Sequence, residues 1–327
     1  MGALLERLEV ELLVVQAGMG GGIATHELAV AVSKAGGLGT IGMLDAGRLR
    51  HELATARQRA NGRPIAVNLL LPFARAAHFA AASDADVVVT FWGEPARRTS
   101  KVWIHQCGSV AEARAVHRAG ADAVIAQGVE AGGHVRGTVP AAELLTAIRA
   151  ALPDSFPVLS AGGVADAGDV RARLAAGAEA VVCGTRFLMS EESRAHPLYK
   201  ARVADANETV LTELFGFGWA AAPHRVLPNQ ATARWAAADP RGPGWVRLIN
   251  WTATALFSRG PAAIQFQLAA RVAAAQRPNR PLFGPSPPLA GGSAELIEAG
   301  PLYAGESVKR IADVRPAADL VRALCAS

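Results

Sequence analysis

A chain of 327 residues, 51% hydrophobic and 19% charged, is long enough to bury a full core and too apolar to be disordered. Its net charge of +5 comes from scattered arginines with acidic residues interspersed, which argues against a nucleic-acid footprint and suits an anionic ligand. Cys107, Cys183 and Cys325 have neither disulfide nor zinc spacing, and Glu6, Arg7, Glu9 and Glu11 interrupt any signal-peptide core. With no charge-free window of membrane-spanning length, the sequence reads as a soluble cytoplasmic protein.

Residues 12–16 form a short apolar run that stops at the glycine loop 18–22, after which Thr25 opens a helical pattern. A second strand at 39–42 precedes a helix over 45–60. The third, fourth and fifth strands fall at 65–68, 87–91 and 102–106, each bounded by Pro, Gly or polar residues. Two crossovers look thin: 72–85 is only modestly periodic, and 93–101 is too short and charged for a good helix. Helix 109–119 opens with Ser109 and Glu112, a capping pair three apart.

Three similar units follow. Val124-Ile-Ala-Gln-Gly-Val-Glu-Ala-Gly-Gly-His134 runs a strand into a glycine turn ending on histidine; Phe156-Pro-Val-Leu-Ser-Ala-Gly-Gly163 and Ala178-Glu-Ala-Val-Val-Cys-Gly-Thr185 repeat the form. Eight apolar runs alternating with helical patterns fit a doubly wound sheet or a (β/α)8 TIM barrel, and the count favours the barrel. After Phe187 the rhythm breaks. Residues 209–217 and 219–229 are apolar but aperiodic, 252–276 reads as mostly helical, and 277–293 is a proline-rich connector. A final helix begun by Pro316 suits the barrel's eighth helix. The expected division is a barrel of residues 1–197 plus 305–327, carrying a small, mostly helical inserted lid of 198–304.

In such barrels the site lies at the C-terminal ends of the strands, with a phosphate commonly on the loops after strands seven and eight. Here those loops are Ala161-Gly162-Gly163 and Gly184-Thr185, each leading into a helix, so backbone N–H groups and a helix N-terminus can meet an anion. Residues 37–42 match G-x-G-x-x-G formally, but they leave a helix and enter a strand, the reverse of the dinucleotide context. His134 stands at the barrel mouth as a proton carrier; His105 reads as core, and the other histidines as surface or packing residues, apart from His224, which the pattern does not place. Asn68 and Gln127 end strands, and their amides can pair with the edge of a heterocycle; Gln16 is similar. Cys183 reads as a small apolar residue beside the same loops. Trp219, Trp235, Trp245 and Trp251 line a pocket or fill a small core, with the core favoured.

At these positions the chain resembles the nitronate monooxygenases, formerly called 2-nitropropane dioxygenases. The likeness rests on Gln16-Ala-Gly-Met19, residues 30–42, Val67-Asn68, Gln127-Gly-Val-Glu-Ala-Gly-Gly-His134, Ala161-Gly-Gly163, Gly184-Thr-Arg-Phe187 and Leu302-Tyr-Ala-Gly-Glu-Ser307. It implies an FMN-binding barrel. By match, Gly162, Gly163, Gly184 and Thr185, with Cys183 beside them, hold the phosphate; Asn68 and Gln127 meet the isoalloxazine edge, Gly132 its approach, and Ala17, Gly18 and Met19 its other side. His134 matches the active-site base that deprotonates a nitroalkane, a step a nitronate no longer needs. The implied reaction takes a nitronate and O2 to a carbonyl compound and nitrite, using chemistry that belongs to the flavin.

Two positions depart from the pattern: Gly18 where many relatives have Pro, which loosens a loop beside the flavin, and Glu306 where Gln is common, which disfavours an anionic substrate where it faces the pocket. The scaffold also occurs in flavin-dependent enoyl-ACP reductases and NADH:quinone reductases, leaving an NAD(P)H-dependent FMN reductase of an enoyl thioester or quinone as the alternative. Expected partners are a small-molecule substrate and O2, with no nucleic acid and no membrane; a homodimer is left open.

Overall fold

The computed structural model describes residues 3–99, 101–259, 271–280 and 282–326. All eight expected barrel strands are present: β1 (Val14–Gln16), β2 (Gly39–Ile41), β3 (Ile65–Leu70), β4 (Val87–Phe91), β5 (Val102–Cys107), β6 (Ala123–Gln127), β8 (Val158–Ala161) and β9 (Val181–Cys183). They pair in parallel in the order β1-β9-β8-β6-β5-β4-β3-β2, and a parallel bridge from Val15 to Leu38 joins the two ends. The fold is therefore a (β/α)8 barrel. Gln16 helps close it: its Oε1 accepts from Thr40 N–H at 2.9 Å, and its Nε2 donates to Ala17 O. This residue belongs to the wall, outside the cavity lining.

The barrel interior is filled by Val15, Leu38, Ala66, Val87, Val89, Ile104, Ile125, Leu159 and Val182. Helix Ala3–Arg7, which the sequence pattern does not foretell, plugs one end with Leu4 and Leu5 and is pinned by their N–H groups donating to Glu179 Oε1, both at 3.1 Å. The outward strand faces meet the helices. Ile65, Val67 and Leu69 pack on helix Ala46–Arg59, and Val124 and Ala126 join Leu144 and Ile148 of helix Ala141–Ala151.

The thin crossovers are as the composition suggests. Between β3 and β4 the helix is only Ala76–Ala81, and no helix occurs among the described residues between β4 and β5. Ser109 caps helix Val110–Arg118 by accepting from Glu112 N–H, while the Glu112 carboxylate accepts from Gly108 N–H at 2.7 Å. Helix Ala317–Leu324 packs against helices His26–Lys34 and Ala167–Ala175, which completes the outer ring.

The region 198–304 holds helices Gln230–Trp235 and Gly244–Arg259 around Leu214, Phe215, Val246 and Phe283, while Ile297 of helix Leu296–Ala299 packs with Leu188, Tyr199 and Leu302. It also contains two strands that periodicity misses, β10 (Val210–Thr212) and β11 (His224–Val226). Each spans three residues, too few for an alternation to register. β11 pairs on one side with β10 and on the other with β7 (Gly133–His134), opposing His224 to His134. Of the helical pattern read over 252–276, residues 260–270 lie outside the described residues. No helix of the described residues is long and apolar enough to cross a membrane.

Candidate functional site

Side chains alternate across a strand, so the residue two positions beyond a strand's last inward core residue faces the barrel mouth. Ala66 leads to Asn68 and Leu70, Val89 to Phe91, Ile104 to Gln106, and Ile125 to Gln127. The first of each set lies in the inner core, and the later ones line a cavity of about 550 Å³, within the usual range for small-molecule sites. The cavity also takes in Ala17, Gly18, Met19, Gly132, His134, Gly162, Gly163, Cys183, Gly184 and Thr185, so the candidate site residues of the sequence meet there, with Gln16 alone left in the wall. Cys183 sits differently from the rest: its side chain belongs to the outward cluster with Val14, Phe187 and Leu320, and burial pushes its thiol well above the usual range.

One end of the cavity is rich in donors. Gly162 and Gly163 have φ of +118° and +72°, conformations that favour glycine, and they turn the chain after β8 toward helix Ala167–Ala175. The N–H groups of Gly163, Val164 and Gly184 have no acceptor among the described residues. Thr185 Oγ1 accepts from Gly305 N–H at 2.9 Å, which leaves its O–H to donate elsewhere. Ser307 adds a buried hydroxyl. The nearby cations are already engaged: Arg310 holds Asp166, Asp169 and Gly163 O, while Arg173 holds Glu130. Glu130 is a brace, with both carboxylate oxygens 3.0 Å from Ala141 N–H at the start of helix Ala141–Ala151.

Asn68 and Gln127, alike in sequence, differ in structure. The Asn68 amide has no hydrogen-bond partner among the described residues and faces the cavity. Its position depends on Gly18, where an added Cβ would lie 2.2 Å from Asn68 Cβ. The Gln127 amide is taken: Nε2 donates to His134 O at 2.8 Å, and Oε1 accepts from Arg136 N–H at 3.1 Å. Gln127 therefore positions the histidine loop.

His134 lies under aromatic rings. Its imidazole stacks on Trp219 with centroids 3.9 Å apart and planes 22° apart, and Trp92, Tyr303 and His224 surround it at 6.2, 5.5 and 5.2 Å. Nε2 is buried without a hydrogen-bond partner. Burial, aided by His224, holds the imidazole well below its usual pKa. His224 is fully satisfied, since Nδ1 lies 2.9 Å from Ala222 O and Nε2 accepts from Phe215 N–H at 3.3 Å. These contacts fix its proton on Nδ1. Burial lowers its pKa to about 4. His105, also lowered to about 4 by burial, bonds Thr90 Oγ1 at 2.7 Å within the wall.

Glu306 does not line the cavity. It pairs with Arg225 at 3.0 Å, and Arg225 also donates to Val129 O from Nε and Nη2. The departure at this position therefore braces the Glu130–His134 turn from behind and puts no charge into the site. Sequence reasoning missed Gln106, Phe91, Phe73, Tyr303 and Ser307, and it favoured core for Trp219, which lines the cavity. Gln106 carries the same signal as Asn68, a polar residue two positions beyond an inward core residue. Trp245 and Trp251 are exposed, at 48% and 66%.

A parallel barrel whose strand ends open on an anion-receptive, aromatic-walled cavity defines the class, a (β/α)8-barrel enzyme, and the comparisons make it an oxidoreductase. The family model described as nitronate monooxygenase matches residues 2–93 and 94–327, and the chain belongs to that family. It is 34% identical over 258 residues to a probable nitronate monooxygenase of Staphylococcus saprophyticus, an alignment covering 62% of this chain and 72% of that one. Among solved structures it resembles FabK from Thermotoga maritima, with a TM-score of 0.76 and 29% identity over 99% of this chain and 94% of that one. It equally resembles nitroalkane oxidase from Streptomyces ansochromogenes, with a TM-score of 0.76 and 28% identity over 99% and 96%.

Proposed function

We propose that this protein is an FMN-dependent nitronate monooxygenase that oxidises alkyl nitronates with O2 to a carbonyl compound and nitrite. The observation that carries the reading is the convergence of three glycine turns and the buried, unpartnered His134 Nε2 on one cavity. FMN fits the residues present. Its phosphate would take the open N–H groups of Gly163 and Val164, in the loop after β8, and of Gly184, with the Thr185 hydroxyl at the start of helix Thr185–Leu188. Its ring edge would meet the free Asn68 amide, with Ala17, Gly18 and Met19 along one side. When bound, the flavin supplies the electron acceptor for the nitronate and the route of electrons to O2.

The chain's residues do the rest. Trp219, Phe91 and Tyr303 exclude water around the reacting carbon. The His134 imidazole is neutral at pH 7, hence in the proton-accepting form, but its lowered pKa makes it a weak base. That suits a nitronate, which arrives already deprotonated, better than a neutral nitroalkane. The test is aerobic incubation of the flavin-loaded protein with propyl nitronate and no NADH, following nitrite and O2. Absence of nitrite would sink the reading. A second reading, an NAD(P)H-dependent reductase of an enoyl thioester or quinone, draws support from the likeness to FabK. It requires NADH to bleach the flavin within seconds under anaerobic conditions.

A further inference from the structure

The ring order places β6, whose following loop leads to His134 on β7, diametrically opposite β2. Among the described residues that line the cavity, the only charged ones are Asp45 and Arg48, which follow β2. The His134 side is walled instead by Phe91, Phe73, Trp219 and Tyr303. Neighbouring charges there are spent: Arg136 lies over the Trp92 ring at 4.9 Å and pairs with Glu112, and Arg225 pairs with Glu306. The Tyr303 hydroxyl donates to Pro285 O at 2.9 Å, so it too is occupied.

Trp219 is the limiting wall. One face lies on His134, and Phe73 and Trp92 meet it edge-on at 5.1 and 5.2 Å, so the indole is wedged from three directions. Trp92 is itself held at φ +65°, unusual for a bulky residue, which fixes that side of the wedge. Of the described rings around His134, Trp219 lies nearest, at 3.9 Å between centroids.

Resting on the reading of the site as one for nitro compounds, we propose that the substrate's tail is uncharged and hydrophobic, and that Trp219 sets the tail length the site accepts. A carboxylate on the substrate's tail would be buried on the His134 side with no cation there to meet it, since Arg48 lines the cavity from the far side, after β2, which disfavours it strongly. Each added methylene gains affinity only while there is apolar wall to cover.

Calorimetric titration of the purified protein, as isolated, with nitropropane, nitrohexane and 3-nitropropionate tests this without requiring turnover. Wild type is expected to bind nitropropane at least ~10-fold more tightly than 3-nitropropionate, and nitrohexane no better than nitropropane. Trp219→Ala should shift the ratio of nitrohexane to nitropropane affinity by ~10-fold or more toward the longer chain, with Trp219→Leu as the second variant should the alanine protein not fold. Equal wild-type affinity for 3-nitropropionate would overturn the proposal. So would a parallel loss for both chain lengths in the variants, which is what a merely structural tryptophan would give. Binding in the expected order without nitronate oxidation would instead sink the reaction assigned above and leave the tail preference standing.

Discussion

Replacing Gln127 with Leu tests whether the amide holds the histidine loop. Leu is larger by about one methylene, a small overpacking at a position 4% exposed, while two hydrogen bonds vanish. The His134 carbonyl loses its donor at 2.8 Å and the Arg136 N–H loses its acceptor at 3.1 Å. Each group left unsatisfied costs about 1–3 kcal/mol, and because the cavity lets water reach part of this segment, a total of roughly 2–4 kcal/mol is expected. The β7 to β11 pairing remains, so the loop should loosen without detaching. Amide hydrogen exchange reads this locally: a loss of ~2 kcal/mol accelerates exchange at Arg136 by about 30-fold if it reports local opening. The thermal midpoint should also fall, and flavin affinity should weaken as Gly132 to His134 shift. An Arg136 amide that exchanges as in wild type, with an unchanged midpoint, would refute the assignment and return the Gln127 amide to the ligand.

Gly18→Ala should displace Asn68, weaken flavin binding by ~10-fold or more and lower the thermal midpoint as well, because the added Cβ meets Asn68 Cβ, which moves only with its strand, and also crowds Thr40; flavin retained at wild-type affinity on dialysis would contradict this. His134→Asn should keep flavin bound, lower neutral-nitroalkane turnover by ~10²-fold or more, and affect nitronate oxidation much less; equal losses on both substrates would remove the base role. Stability should fall between pH 6.5 and 4. His105 and His224 are held at about 4 when folded, so in that window the unfolded chain binds more protons, and up to about 3 kcal/mol per histidine, present above 6.5, is lost as pH drops. A denaturation midpoint constant from pH 7 to 4.5 would refute that account.

The barrel was legible because its evidence in the chain is local. Short apolar runs bounded by Gly, Pro or polar residues mark each strand, and the loops after strands six to eight carry their chemistry within a few residues of the strand end, as Gly132, Gly163 and Gly184 do. What stayed hidden depends on contacts across long separations. Trp219 reaches the cavity only because β11 pairs with β7, a register between residues about 90 positions apart that no single-sequence pattern encodes. The division of labour between Asn68 and Gln127 was equally out of reach, since both end a strand with an amide, and only the return of the 134–136 backbone over β6 occupies one of them.

The two departures from the family pattern show how such long-range contacts change the meaning of a residue. Glu306 in an anion site would repel a nitronate, yet here it answers Arg225, whose other nitrogens grip the Val129 carbonyl beneath the histidine turn. A neutral Gln would take from the Arg225 guanidinium, only 7% exposed, the carboxylate that pairs with it directly and leave only the Glu130 charge nearby, a costly change for a buried ion. Gly18 likewise has a partner: any side chain there competes with Asn68 for the same space. Each departure is therefore half of a pair, and the pair, rather than the single position, is what the site tolerates. Restoring Gln at 306 alone, or adding a side chain at 18 alone, should weaken this protein even where relatives carry those residues.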